Sequence, residues 1–146
     1  MATHTPYTTL LVEHVAAQLA LVQPPTYRTS IGASVSTERP QALAAGAPFC
    51  SVRLVAWEAT PDTTLVTRDC ELRIEAVLAA TDETAEDLAR DAAEDIHELF
   101  RAVGASVALG AAQAVIGAVS GAEIERPEGS DAVLVSLTLR AQIYEP

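Results

Sequence analysis

Three histidines, two cysteines and a dense run of carboxylates are the side chains in this sequence whose chemistry reaches beyond packing. His4, His14 and His97 are its only candidates for a base that titrates near neutral pH. A nucleophilic triad would need one of them to meet a nucleophile and an orienting acid. His4 lies in an N-terminal tail, and His14 and His97 sit beside Glu13 and Glu98 on stretches of helical periodicity. A solvated histidine on a charged helix face is the plainer reading of both, and no nucleophile elbow accompanies them. Asp91, Glu94, Asp95 and Glu98, with His97, fall three and four residues apart, as metal ligands on one helix face do. No second histidine or cysteine stands near them in the sequence, so a solvated acidic face accounts for them better than a metal site.

Gly104, Gly110, Gly117 and Gly121 are spaced too widely for a phosphate cradle, and the chain has no lysine to serve as that of a P-loop. Together with the isolated Gly32 they read as turn or strand glycines. No basic patch for nucleic acid exists, and Trp57 reads as a wide side chain at a sheet edge or subunit contact rather than a base-stacking ring. This pattern predicts a protein that is not an enzyme and carries neither cofactor nor metal.

Composition points the same way. Of the 146 residues, 20 are acidic and 9 basic, all nine arginine, for a net charge of −11. That balance opposes tight binding to phosphates or to an anionic membrane. Apolar residues make up 49% of the chain but aromatics only 4%, so an alanine-rich core buries modest area and would gain from association. The length suits one domain spanning residues 1–146. No apolar run reaches membrane-spanning length, and Met1 to Tyr7 lacks the features of a signal peptide. Cytoplasmic residence follows as an expectation, with Cys50 and Cys70 reduced and packed as small apolar residues.

The elements that must position these side chains follow from periodicity. A first helix is predicted from Thr9 to Val22, capped by Thr8 or Thr9 and ended by Pro24-Pro25. Tyr27 to Val35 alternates like a strand, and Glu38 to Pro48 reads as a long loop. Ser51–Glu58 and Glu71–Ala79 are predicted strands, with a turn at Pro61-Asp62 between them. A helix from Asp82 to Val103 follows, capped by Thr81 and closed by Gly104, with a stripe of Ala85, Leu88, Ala92, Ile96, Leu99 and Val103. Its opposite face carries Glu83, Glu86, Asp87, Asp91, Glu94, Asp95 and Glu98, relieved by Arg90. Gln113–Val119 is a weaker strand, Ser120 to Asp131 a polar loop, and Val133 to Ile143 the longest alternation, so the last two strands form an antiparallel pair. The fold class is α+β, a mixed and largely antiparallel sheet with helices on one face. Leu72, Ile74, Leu78, Leu88, Ile96, Leu99, Val135, Leu137 and Leu139 are expected to form one core.

The alternating strand Glu71–Ala79 running into an acidic helix, the weak strand and polar turn with Glu125 and Gly129, and the long terminal strand to Tyr144 resemble a known arrangement. Together with the N-terminal helix, they resemble the tail terminator (minor tail protein) family of long-tailed bacteriophages. The resemblance covers Thr8 to Tyr144 and rests on element order rather than an invariant motif. It implies a non-catalytic virion protein at the head–tail junction, assembled in the host cytoplasm. Such a protein forms a ring, usually a hexamer, that caps the tail tube and meets a head-completion or connector protein, while DNA passes through its bore. On that reading, bore or surface carboxylates come from Asp87, Asp91, Glu94 and Asp95, or from Glu123, Glu125, Glu128 and Asp131. Arg53, Trp57, Arg68, Arg73 and Arg140 are candidates for subunit contacts, and the two long loops for partner contacts. A different neck protein or a small non-catalytic adaptor are the competing readings.

Overall fold

The computed structural model describes residues 5–37, 48–61, 66–102, 106–127 and 131–146. Two helices and six strands follow the order α1 (Tyr7–Leu19), β1 (Val35–Ser36), β2 (Phe49–Pro61), β3 (Val66–Ala79), α2 (Ala85–Ala102), β4 (Ser106–Leu109), β5 (Ala112–Glu125) and β6 (Ala132–Glu145). They form one sheet in the order β1-β2-β3-β6-β5-β4, antiparallel at every junction except β1 with β2. Both helices pack on one face, α1 over β1 and β2 and reaching β4 at the far edge of the curled sheet, α2 over β3, β6 and β5. The chain is thus α+β, as its periodicity predicts.

β3 and β6 pair from Val66 opposite Glu145 to Ala79 opposite Ala132 without a break. Leu72, Ile74, Ala76 and Leu78 of β3 and alternate residues Val133 to Ile143 of β6 share the helix-bearing face and are buried. α2 meets them with Ala85, Ala89, Ala92, Ala93, Ile96, Leu99 and Phe100. Its alanines let the helix lie close to the sheet, and the buried face turns toward Phe100, leaving Leu88 half-buried. Eight of the nine expected core residues are buried; Leu88 is the exception.

Several boundaries differ from the sequence reading, each for a local reason. α1 starts after Pro6 without a side-chain cap, so Thr8 and Thr9 lie inside it. It stops at Leu19, where the chain tightens through hydrogen bonds from the Leu21 N–H to the Gln18 carbonyl and from the Val22 N–H to the Leu19 carbonyl. Val22 is buried beyond the helix end. The alternation from Tyr27 to Val35 is no long strand: a 3-10 turn occupies Ile31–Ala33 and only Val35 and Ser36 join the sheet. Gly32 is required there, since a Cβ would lie 2.5 Å from the Leu19 carbonyl oxygen and 2.8 Å from Val22 backbone atoms. Thr81 and Thr84 form a separate turn before α2, with the Thr84 hydroxyl 3.0 Å from the Thr81 N–H, so Asp82 and Glu83 precede the helix.

β2 and β3 run longer than expected, and β4, absent from the sequence reading, forms a hairpin with β5 around Gly110, whose φ of 63° suits glycine. Half of the supposed Ser120–Asp131 loop, Ser120–Glu125, continues β5. The expected loop at Glu38–Pro48 falls outside the described residues except at Pro48, as do Asp62, Val103, Gly104, Gly129 and the tail through His4.

Ile96 is fully buried between α2 and the sheet. Ile96→Ala is expected to lower unfolding stability by about 2–5 kcal/mol, and Leu88→Ala by clearly less. Urea denaturation of the two variants reads both; a larger loss at Leu88 would contradict this placement of α2.

Candidate functional site

With Arg68 and Glu145 on the helix-bearing face, strand alternation assigns the other charged residues of β3 and β6 to the face that carries no helix. There Glu71 stands opposite Arg140 and pairs with it at 3.0 Å. Asp69 stands opposite Gln142 and accepts its Nε2–H at 2.8 Å, while the Tyr144 hydroxyl donates to the Gln142 Oε1 at 2.7 Å. Arg53 and Arg73 are directly opposite, a repulsive cross-strand pair. Glu75, diagonal to Arg53, contacts it at 3.3 Å and relieves that repulsion. Glu58 lies opposite Asp69, and Glu123 and Glu125 of β5 have the same parity. The bare face is therefore a charge ladder with an acidic surplus.

An open groove of about 760 Å³ runs along these strands, lined by Glu58 of β2, Asp69 and Glu71 of β3, Arg140 and Gln142 of β6, and Val115 and Gly117 of β5, with Trp57, whose register opposite Cys70 gives its side chain the helix-bearing face. Trp57 is half-exposed, with the Arg68 guanidinium 4.9 Å from its ring centroid. Arg68 in turn pairs with Glu145 at 3.0 Å. Of the arginines read as subunit contacts, Arg53, Arg68 and Arg140 are thus engaged by carboxylates of their own chain. Arg73 is exposed and has no ion pair among the described residues.

The carboxylates read as bore or surface candidates separate into three settings. Asp87 and Glu94 are exposed on α2, and Asp91 is half-buried. Glu123, Glu125 and Asp131 are exposed at one end of the sheet, and Glu128 lies outside the described residues. Asp95 is the correction: it is completely buried and lines no surface of the protomer. Its Oδ1 accepts from the Arg28 N–H at 3.0 Å and the Arg28 guanidinium at 3.2 Å. Its Oδ2 accepts from the Thr29 N–H and hydroxyl, both at 2.7 Å. Arg28 also pairs with Glu98 at 2.9 Å, and these two carboxylates hold its guanidinium firmly in the charged form. Four donors account for the burial, since an unmet carboxylate in the interior costs several kcal/mol. In the sequence Asp95 looks like its exposed neighbours; only the donors 66 and 67 residues away distinguish it.

Among the described residues, no three His, Cys, Asp or Glu side chains converge as a metal site would require. His97 is exposed beside a cleft of about 440 Å³ between α2 and β5. His14 departs from the expected surface setting: it is half-buried, and its Nε2 is enclosed without a hydrogen-bond partner among the described residues. Cys50 and Cys70 are free and buried. Cys50 is opposite Ala76, six positions along β3 from Cys70, roughly 20 Å at strand spacing and far beyond disulfide reach. Burial pushes the Cys50 thiol up to about 12 and, against the opposing pull of Arg68, the Cys70 thiol up to about 11.

No protein-family model matches the chain, and no curated protein matches it in sequence. A solved structure described as "Virion of native gene transfer agent (GTA) particle" contains a similar chain. The match covers 98% of this chain and 99% of that one, with a TM-score of 0.55 and 16% identity. At that identity the likeness shows a shared fold.

Asp95→Ala strands the Thr29 and Arg28 donors and is expected to cost about 3–5 kcal/mol, whereas exposed Glu94→Ala should stay within about 0.5 kcal/mol. Chemical denaturation compares them; equal effects would remove the structural role assigned to Asp95. The thiols give a pH test. Their folded values lie above the unfolded value, so the unfolded chain loses protons first. The thiol contribution to stability is present below about pH 9 and falls as pH rises toward 11–12. Replacing both cysteines with alanine should flatten that alkaline decline in thermal melts, and an unchanged slope would contradict the assignment.

Proposed function

We propose that this chain is a structural protein of a phage-like particle, forming a ring that closes the tail tube, halts its polymerisation and offers a surface for joining the head. The carrying observation is the likeness, over nearly the full length of both chains, to a chain of a gene transfer agent virion. The order of elements, with its resemblance to tail terminators, supports the finer role. On this reading the chain is not an enzyme and needs no cofactor. Its partners are further copies of itself (usually six in the resembling family), the tube protein and a head-completion or connector protein. It sits at the head–tail junction after assembly in the host cytoplasm. Because the neighbour's description names only a virion particle, another neck protein is the second reading.

The acidity suits a passage for DNA. A lining of like charge avoids the counterion-releasing contacts that would make the polymer adhere. The same charge, −11 per copy, opposes assembly, and salt screens it over a Debye length of about 8–10 Å. Sedimentation of the purified protein should therefore show a species near six times 15.3 kDa that grows in population as salt rises. A monomer at every salt and concentration would favour the adaptor reading. A ring that dissociates as salt rises would mean that interfacial attraction dominates, and the acid-lined bore would lose its physical support.

A further inference from the structure

The sheet is unfinished at both edges in a complementary way. β1 pairs with β2 only at Cys50 and Ser51, so Val52–Pro61 has no outer neighbour among the described residues. On the other side β4 pairs with β5 only from Ala112 to Val115, which leaves Ile116–Glu125 in the same condition. Each free segment, 52–61 and 116–125, is ten residues long, about 33 Å of strand. An edge of that length is a template for pairing with another chain, and lysine, the usual guard, is absent from this sequence. Among the described residues five large apolar side chains are exposed, and four of them, Val55, Trp57, Val115 and Ile124, lie on β2 and β5.

Direction fits as well. β2, β3, β6 and β5 alternate, so β2 and β5 run in opposite directions. Two copies in the same orientation bring β5 of one beside β2 of the next as an antiparallel pair. Trp57 lies opposite Cys70 and Ile124 opposite Val135, so both belong to the helix-bearing face, where neither helix covers them. The junction would bury them on that side.

We propose that the free edge of β2, Val52–Pro61, pairs antiparallel with the free edge of β5, Ile116–Glu125, of a second copy of this chain, each junction repeating head to tail. The free half of β2 lies toward Pro61, whereas the free half of β5 lies at the opposite end of the sheet. Neighbouring copies are therefore offset along the strands. A sheet that closes on itself needs such a stagger, and repeated head-to-tail contacts close into a ring. Bulges at Leu54/Ala56, Ile116/Val119 and Ser120/Glu123 add the curvature that closure demands. With helices filling one face, the bare face looks into the ring, bringing Glu58, Asp69, Glu71, Glu123 and Glu125 to its inner wall.

This inference rests on the ring reading, and the test separates the two. Trp57→Lys blocks one edge and Ile124→Lys the other. Under conditions where the wild type is a ring, each variant alone should sediment as a monomer. An equal mixture should give dimers and no ring, because a single functional junction remains. Intact rings in either variant would overturn the edge contact while leaving the ring. A mixture that stays monomeric, with both variants melting like the wild type, would overturn it too. A wild type that never assembles would overturn the ring reading and this contact with it. Should a variant fold poorly, amide exchange of the wild type decides: alternate amides in 52–60 and 119–125 should slow at least about tenfold on assembly, and equal exchange in monomer and ring refutes the pairing.

Discussion

One carboxylate taken wholly out of water sets how the helix layer is joined. Asp95 sits on α2 at 0% exposure, and its donors come from Arg28 and Thr29, in the segment that links α1 to β1. α1 covers the β2 side of the sheet and α2 the β5–β6 side, and the two helices touch little directly. The Asp95 cluster supplies the connection that packing leaves thin. It is directional where apolar contact is not, because both oxygens must meet particular N–H and O–H groups at hydrogen-bond distance. Gly32 completes the arrangement: its N–H donates to the Val22 carbonyl at 2.9 Å, and its bare Cα lets the chain pass against the end of α1. Two halves of one face are thereby fixed with few large side chains.

That economy leaves the other face exposed to a different balance. Alternation on β3 and β6 commits one set of residues to the core and the other to the ladder of Asp69, Glu71, Arg73, Thr138, Arg140 and Gln142. The directly opposed pair Glu71–Arg140 stabilises its rung only modestly, since a partly exposed pair is screened and costs side-chain entropy. The ladder's stronger effect is on what the face can meet. A surface with unlike charges already paired and an acidic surplus repels polyanions and offers little to an apolar partner. The exposed apolar side chains stand instead toward the edges, where Trp57 and Ile124 are half in solvent.

The parts of this fold legible in the sequence are those where one face is dry and the other wet. Val133 to Ile143 declares itself by alternation, and Ala85 to Leu99 by helical period, and with them most of the core. Where the sequence misleads, the causes are separate. Ser120–Glu125 contains Gly121 and two carboxylates and is exposed at every position, so β5 there lacks the apolar alternation that marks a strand. Tyr27–Val35 alternates for another reason: Thr29 and Ile31 are buried in a turn held by Asp95 and Gly32, not in a ladder. Asp95 itself could not be picked out. Seven carboxylates crowd the run from Glu83 to Glu98, and nothing local marks the one whose partners are distant in sequence. Among the arginines offered as contacts, Arg53, Arg68 and Arg140 pair with carboxylates of neighbouring strands in their own chain, and cross-strand proximity of this kind is not visible in the sequence.

The separation between faces and edges bears on how such a chain would keep both stability and assembly. Residues that build the core lie at alternate positions of β3 and β6 and along the alanine-rich side of α2. The exposed apolar side chains Trp57 and Ile124 lie on β2 and β5, where neither helix covers them. Backbone pairing at an edge depends weakly on side-chain identity, since its donors and acceptors are common to every residue but proline. An assembly built that way tolerates wide change in sequence while its geometry persists. The likeness at 16% identity shows the same fold held without a shared sequence motif.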